Sequence, residues 1–294
     1  MVLHHLTEYS FKKLLNSRFS GCFLFAEKFF VIFFKLKVHF RLALYNDLRK
    51  RGKGMSYQDT FKRVEIKYLL SASQRRELMK TIEKHMLLDC YGRTTIQNIY
   101  YDTPDWKLIR TSLEKPVYKE KLRLRSYGTA TPGKTVFIEI KKKFDGVVYK
   151  RRTSATEAQA MAYLNRGIRI AGHEDQISRE IDYFRNFYKG LRPAMVISYE
   201  REAYYGIEDP AFRVTFDENI LWREEDLSLC REAYGNPILS PGQSLMEIKA
   251  DVALPMWLTK EMNRLGIFQT SFSKYGRAYE TKLMNENAKA ERRA

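Results

Sequence analysis

Lys121-Leu122-Arg123-Leu124-Arg125 alternates strictly between a cation and a leucine. In a β-strand, residues two apart point to the same face. Read as a strand, the stretch carries three cations on one side and two leucines on the other. Four more segments share the habit: Arg63-Val64-Glu65-Ile66-Lys67, Glu139-Ile140-Lys141-Lys142-Lys143, Arg213-Val214-Thr215-Phe216-Asp217 and Glu247-Ile248-Lys249. An ordinary sheet turns its polar row to bulk water and needs no such uniformity. Rows dominated by Lys and Arg, with isolated Glu and Asp, suit a closed or nearly closed barrel whose interior is wet and cationic. Such an interior asks for a polyanion, and its few acids ask for a metal ion.

The 294 residues can bury a sizeable core in one large domain or two smaller ones. Lys and Arg outnumber Asp and Glu by 52 to 35, a net charge of +17 that implies an anionic partner. Cys22, Cys90 and Cys230 form no CxxC pair, which argues against a zinc ribbon or a disulfide framework and fits reduced thiols in a cytosolic protein. The five histidines show no ligand spacing.

The first 54 residues carry eleven Lys/Arg against three acids. Their Phe-rich stretch from Cys22 to Phe34 is broken by Glu27-Lys28, too short and too charged for a spanning helix, which needs about 20 apolar residues. No small-residue cleavage site follows it. Residues 1–54 read either as a basic amphipathic segment on an acidic membrane surface or as a stretch outside the functional protein, with Met55 as the start; the second reading is favoured. Residues 55–286 then form the functional domain and 287–294 a charged tail.

From Phe61 the pattern is regular. Strands are expected at Phe61–Leu70, Thr94–Asp102, Lys119–Tyr127, Thr135–Lys143, Val147–Thr153, Ala194–Tyr205, Ala211–Phe216 and Ser244–Asp251. Helices are expected after Ser71 or Ser73 to about Leu88, from Thr103 to Ser112, at Ala155–Asn165, Asp175–Lys189 and Pro255–Leu265, and at the C-terminus over Ser273–Asn285. The fold class that follows is α+β: an eight-stranded antiparallel β-barrel tunnel with helices inserted between strands and a C-terminal helix.

Arg123, Arg125, Lys141, Lys143, Lys150, Arg152, Arg201 and Arg213 all fall on strand patterns. If they converge, each like-charge pair about 6 Å apart costs roughly 3 kcal/mol at an effective dielectric near 20. Several such pairs rival the stability of a domain. Any one strand could simply show a solvated outer face; five strands together favour a wet site filled by anions. Phosphate oxygens fit best, because Arg binds them bidentately and Lys as a point charge. Each of Glu65, Glu139, Asp217 and Glu247 lies two residues from a basic or polar neighbour and reads first as an ion-pair partner. Mg²⁺ or Mn²⁺ on phosphates needs only one or two carboxylates, and Glu247 is the leading ligand candidate, with Asp217 second.

The ordered series RVEIKY, YYDTPD, KLRLRSYG, VFIEIKKK, VVYKRR, YEREAY, FRVTFDENI, LMEIK and SFSKYGRAY resembles the VTC (vacuolar transporter chaperone) polyphosphate polymerase domain, a family of triphosphate tunnel metalloenzymes. The resemblance spans about Phe61 to Leu283. It implies that Lys67, Arg123, Arg125, Lys141, Lys150, Arg201, Arg213 and Lys274 bind phosphate, that Tyr199 and Ser273 lie close by, and that Glu247 holds the metal. Hydrolytic tunnel enzymes typically open with ExExK, whereas the first position here is Arg63, a departure that suits the polymerase branch.

The activity expected is metal-dependent transfer of the terminal phosphoryl group of ATP to a growing polyphosphate chain. The assigned residues are Lys67, Arg123, Arg125, Lys141 and Arg213 for catalysis, Lys150, Arg152, Tyr199, Arg201, Ser273 and Lys274 for substrate binding, and Glu247 and Asp217 for Mn²⁺ or Mg²⁺. The alternatives on the same fold are a hydrolase of inorganic or organic triphosphates and a non-catalytic polyphosphate sensor. No GxxxxGK[ST] is present, which argues against a P-loop enzyme. Nucleic acid is not an expected ligand, because the strands alternate charge with aliphatic residues and offer no row of aromatics for base stacking. The partners expected are ATP, triphosphate and polyphosphate. The location is cytoplasmic, with membrane association and a membrane protein that exports the product left open.

Overall fold

The alternating segments become the long strands of one curled antiparallel sheet. The computed structural model describes residues 64–145, 147–251 and 253–291. Its strands are β1 (Val64–Leu70), β2 (Met86–Leu88), β3 (Thr94–Asp102), β4 (Tyr118–Tyr127), β5 (Thr135–Phe144), β6 (Val147–Thr156), β7 (Arg192–Gly206), β8 (Arg213–Arg223), β9 (Asn236–Pro237), β10 (Ser244–Ala250) and β11 (Gln269–Thr270). The helices are α1 (Ala72–His85), α2 (Lys107–Leu113), α3 (Glu157–Arg166), α4 (Gln176–Phe187), α5 (Met256–Arg264) and α6 (Lys274–Glu291). The sheet runs β11-β1-β10-β8-β7-β3-β4-β5-β6, with β2 and β9 attached at β7 and β8. Eight of the strands are long, as the sequence predicts. Residues 61–63, including Arg63, lie outside the described residues, as do 1–54.

Helix starts follow the capping residues. Ser71 accepts from the Gln74 amide while Gln74 reaches back to the Ser71 N–H, and Thr156 and Gln159 repeat that box at α3. At α2 the task falls to Asp102, whose buried carboxylate accepts the amides of Leu108 and Ile109. The C-terminal helix runs on to Glu291, further than the predicted end at Asn285.

The apolar rows face outward and the helices cover them. Leu122, Leu124, Ile138 and Ile140 pack with Tyr163 and Leu164 of α3 and Ile181 and Phe184 of α4. Phe216, Val214, Met246 and Ile248 pack with Leu78 and Ile82 of α1 and Leu258 and Met262 of α5. Each buried Leu, Ile or Phe contributes about 1.5–3 kcal/mol. The charged rows are thereby turned to the opposite face. Helix α6 packs on that inner face, with Tyr275, Ala278 and Tyr279 against Ile96, Tyr100, Met195 and Ile197, and Ile109 of α2 joins the same cluster.

The ring of backbone hydrogen bonds is not closed, since β1 and β6 do not pair. Side chains bridge the opening instead. Glu65 of β1 lies 3.5 Å from Lys141 of β5, a contact that requires the sheet to curl round on itself. The segment entering α6 spans the same gap: Lys67 Nζ donates to the Phe272 carbonyl at 3.1 Å, and Lys121 Nζ to the Ser273 hydroxyl at 3.1 Å.

Candidate functional site: a cationic tunnel

Each charged row is positioned by register. Lys67 stands opposite Glu247 and Glu65 opposite Lys249 on β1 and β10. Arg123 faces Glu139 and Lys121 faces Lys141 on β4 and β5, while Lys150 and Arg152 of β6 face Lys141 and Glu139. Arg201 faces Asp217 on β7 and β8. The register of that last pair slips beside Tyr199, where Asn219 adopts φ 47°. A bulge of this kind re-aims the neighbouring side chain, and Tyr199 is buried among the cations.

Three ionic knots result. Around Glu139, Arg123 Nε donates to Oε2 at 2.7 Å and Lys150 Nζ lies 2.6 Å from Oε1, with Arg125 3.8 Å from Oε2. Burial alone would raise the Glu139 carboxyl, but Arg123, Arg125 and Lys150 outweigh it and hold it at about 2. Around Asp217, both carboxylate oxygens are engaged by Arg201, and Lys274 Nζ also donates to Oδ2 at 2.5 Å. Around Glu247, Lys249 lies 3.0 Å from Oε1 and Lys67 3.8 Å from Oε2. Burial opposes its ionisation, yet Lys249, Lys67, Arg201 and Lys274 bring its carboxyl well below the usual range. Lys67 also lies 3.4 Å from Glu65.

Tyrosines and an asparagine tie the knots together. Arg125 donates to Asn98 Oδ1 at 2.8 Å and to the Tyr199 hydroxyl at 3.1 Å. Lys274 Nζ and the Arg201 guanidinium lie 4.4 and 5.2 Å from the Tyr199 ring centre. Burial would raise the Tyr199 hydroxyl, but Arg125, Arg201 and Lys274 bring it down to about 8. Arg123 donates to the Tyr100 hydroxyl at 3.2 Å, and Tyr100 stacks on Tyr275 of α6 at 4.5 Å. Lys121 is pushed down to about 8 by burial first, then by repulsion from Lys119, Lys141 and Lys67, with Tyr100 opposing.

The structure therefore brings together Lys67, Arg123, Arg125, Lys141, Lys150, Tyr199, Arg201, Ser273, Lys274, Asp217 and Glu247. Arg152 is exposed, its guanidinium 4.8 Å from the Phe137 ring centre. Arg213 is on the right face but outside the knots: it is exposed at the start of β8, 3.6 Å from Asp89. Asn98, Tyr100 and Lys121 belong to the site and were not among the residues assigned from sequence. Lys121 has the parity of Arg123 and was legible. Asn98 gave only a weak signal, as an amide inside a strand, where Asn is depleted.

Among the described residues, no three His, Cys, Asp or Glu side chains come together to hold a metal by themselves. The donor set still fits a hard cation, because an ionised Glu247, with Glu65 beyond Lys67, can supply one or two carboxylate oxygens while phosphates and water supply the rest. Asp217 is less open to this role, since Arg201 and Lys274 already occupy both its oxygens.

A family model described as the VTC domain matches residues 62–283. No curated protein sequence matches the chain. Solved structures that resemble it include the following three. A candidate adenylate cyclase from Bacillus halodurans is 14% identical, with a TM-score of 0.46 over 71% of this chain and 92% of that one. One from Vibrio parahaemolyticus is 13% identical, with 0.41 over 74% and 97%. A candidate adenylyl cyclase from Hippeastrum, described as revealing a dominant triphosphatase activity, is 15% identical, with 0.44 over 74% and 95%.

Proposed function

The chain belongs to the VTC domain family, and from that membership we propose that it is a polyphosphate polymerase, transferring the terminal phosphoryl group of ATP to a growing polyphosphate chain in its cationic tunnel. The observation that carries this reading is the convergence of Lys67, Arg123, Arg125, Lys141, Arg201 and Lys274 from four strands and a helix onto one inner face. Phosphoryl transfer asks a protein mainly for positioning and charge neutralisation. In the resting tunnel Glu139, Asp217 and Glu247 neutralise part of the wall. An incoming triphosphate joins them as counter-ion to the remaining charge, and the arginines, already aimed by their carboxylates, meet it with little loss of side-chain freedom.

Arg123 and Arg125 offer paired donors to the non-bridging oxygens of one phosphoryl group. Lys67, Lys141 and Lys274 act as point charges along the chain. Arg201 and Lys274 keep Asp217 occupied. Glu247, with Glu65 behind it, would hold Mg²⁺ or Mn²⁺, which supplies charge neutralisation across neighbouring phosphates. The attacking oxygen belongs to the acceptor chain, so no Ser, Cys or His nucleophile is required. Triphosphate hydrolysis is the second reading, favoured by the placing of two carboxylates, Glu65 and Glu247, on either side of Lys67.

The test is incubation of the purified protein with ATP and Mn²⁺, followed by gel electrophoresis of the products. A ladder of phosphate polymers is expected. Orthophosphate with no polymer favours the hydrolase, and tight binding of polyphosphate without turnover indicates a sensor. None of the helices among the described residues is long and apolar enough to cross a membrane, and a membrane exporter is not needed for this activity.

A further inference from the structure

Along β4 and β5 the inner face can be read rung by rung from the register. Arg123 stands opposite Glu139, Lys121 opposite Lys141, and Lys119 opposite Lys143. The first rung is neutral and bonded. The next two are lysine against lysine. Like charges directly opposite on neighbouring strands destabilise a sheet, so two such rungs in succession need a counter-ion.

The tunnel's acids hardly supply one. Lys141 has Glu65 at 3.5 Å. Lys121 and Lys119 donate to neutral oxygens, the Ser273 hydroxyl and the Ser112 carbonyl, each at 3.1 Å. Lys143 is exposed and has no ion-pair partner among the described residues. Lys115, exposed in the turn between α2 and β4, adds a fifth cation whose charge acts on Lys119. Burial, then repulsion from Lys143 and Lys115, pushes the Lys119 ammonium below the ordinary lysine range. The outer rung lies four residues from Arg123, about 14 Å along the strand, too far for one phosphoryl group to touch both.

We propose that this lysine ladder, with Lys121 and Lys141 as its inner rung and Lys119 and Lys143 as its outer one, is an extended binding track for inorganic polyphosphate. It holds the stretch of chain beyond the reacting groups and leads it out of the tunnel beside the turn that joins β5 to β6. The inference rests on the polymerase reading and adds a direction to it. The reacting phosphates sit among the carboxylate-bearing knots, and the finished chain lies on lysines of which, among the described residues, Lys141 alone has an acid within ion-pair distance, Glu65 at 3.5 Å.

The test compares triphosphate with long-chain polyphosphate as ligands for the full chain, by calorimetry at several salt concentrations. Wild-type protein is expected to bind the long chain more tightly and with the steeper salt dependence. The Lys119→Ala/Lys143→Ala variant is expected to bind the long chain about tenfold more weakly. Its salt slope should fall by about 1.4, or about 0.7 for each phosphate that a lysine no longer neutralises. Triphosphate affinity should change less than twofold, and polymers made by the variant should be shorter. Lys143→Glu is the second variant, because that exposed side chain holds nothing in place. It should weaken long-chain binding at least as much. Unchanged long-chain affinity in both variants, or a parallel loss of triphosphate binding, overturns the ladder. Wild-type protein that makes polymer while the variants make the same lengths overturns the ladder alone. Wild-type protein that neither binds nor makes polyphosphate overturns the polymerase reading and the ladder together.

Discussion

Arg201 holds Asp217 across β7 and β8 by two parallel bonds, Nε to Oδ1 at 2.5 Å and Nη2 to Oδ2 at 2.7 Å. Asp217 is completely buried, and Lys274 shares its Oδ2. This carboxylate is the counter-ion that fastens the start of α6 to the sheet and aims two cations at the space beside Glu247.

Replacing it should therefore be felt first as stability. Asp217→Asn keeps the shape but leaves Arg201 and Lys274 facing an amide, and breaking a buried pair from one side costs about 3–5 kcal/mol. Urea unfolding should register that loss, and saturating triphosphate should restore part of it by serving as the missing anion. A variant as stable as wild type would show that the cations do not depend on Asp217.

We propose that Arg123 and Arg125 meet the substrate, in addition to pairing with Glu139 inside the sheet. Each charge-assisted contact is worth about 1.5–3 kcal/mol, so Arg123→Ala/Arg125→Ala should lower kcat/KM at least a hundredfold. Circular dichroism should still report a folded β protein. Near-normal turnover would remove these residues from the site.

Glu247 can be separated from a simple ion pair with Lys249 by metal titration. Glu247→Gln removes the charge that would hold Mg²⁺ or Mn²⁺. Turnover should collapse and recover in part at high metal concentration, while triphosphate still binds through the lysines and arginines. Unchanged metal dependence would refute the assignment.

The pH dependence has a definite sign. Tyr199 and Lys121 both titrate at about 8 in the folded protein, each below its ordinary value. Below that pH Lys121 is cationic and Tyr199 neutral. As pH rises through it, Lys121 loses its charge and Tyr199 becomes an anion, so both changes strip positive charge from the wall. Triphosphate affinity should fall between pH 7 and 9, with proton uptake on binding near pH 8, and Tyr199→Phe should soften the fall. Calorimetry in buffers of different ionisation enthalpy measures both quantities, and an affinity that is flat or rising over this range contradicts the assignment.

Much of this was legible because strand parity is strict. Leu122 and Leu124 had to share one face and Arg123 and Arg125 the other, and a helix-covered outside left the cations nowhere but inside. Parity gives the face, however, and not the depth. It places Arg213 in the same row as Asp217, yet Arg213 begins its strand and meets Asp89 at the surface. Closure was not legible either. An alternating sequence cannot distinguish a ring of backbone bonds from a curled sheet bridged by Glu65, Lys141 and the approach to α6. The helix itself reads as amphipathic whichever side it packs on, and only its contacts show Tyr275 stacked on Tyr100 at the inner face.

The central claim is that the tunnel passes a phosphoryl group to a polymer and not to water. A phosphorus NMR time course of ATP turnover with Mn²⁺ tests it most directly. The account predicts that ADP appears together with resonances of internal polyphosphate groups, with orthophosphate far below the ADP formed. Orthophosphate rising in step with ADP, with no internal resonances, would contradict it.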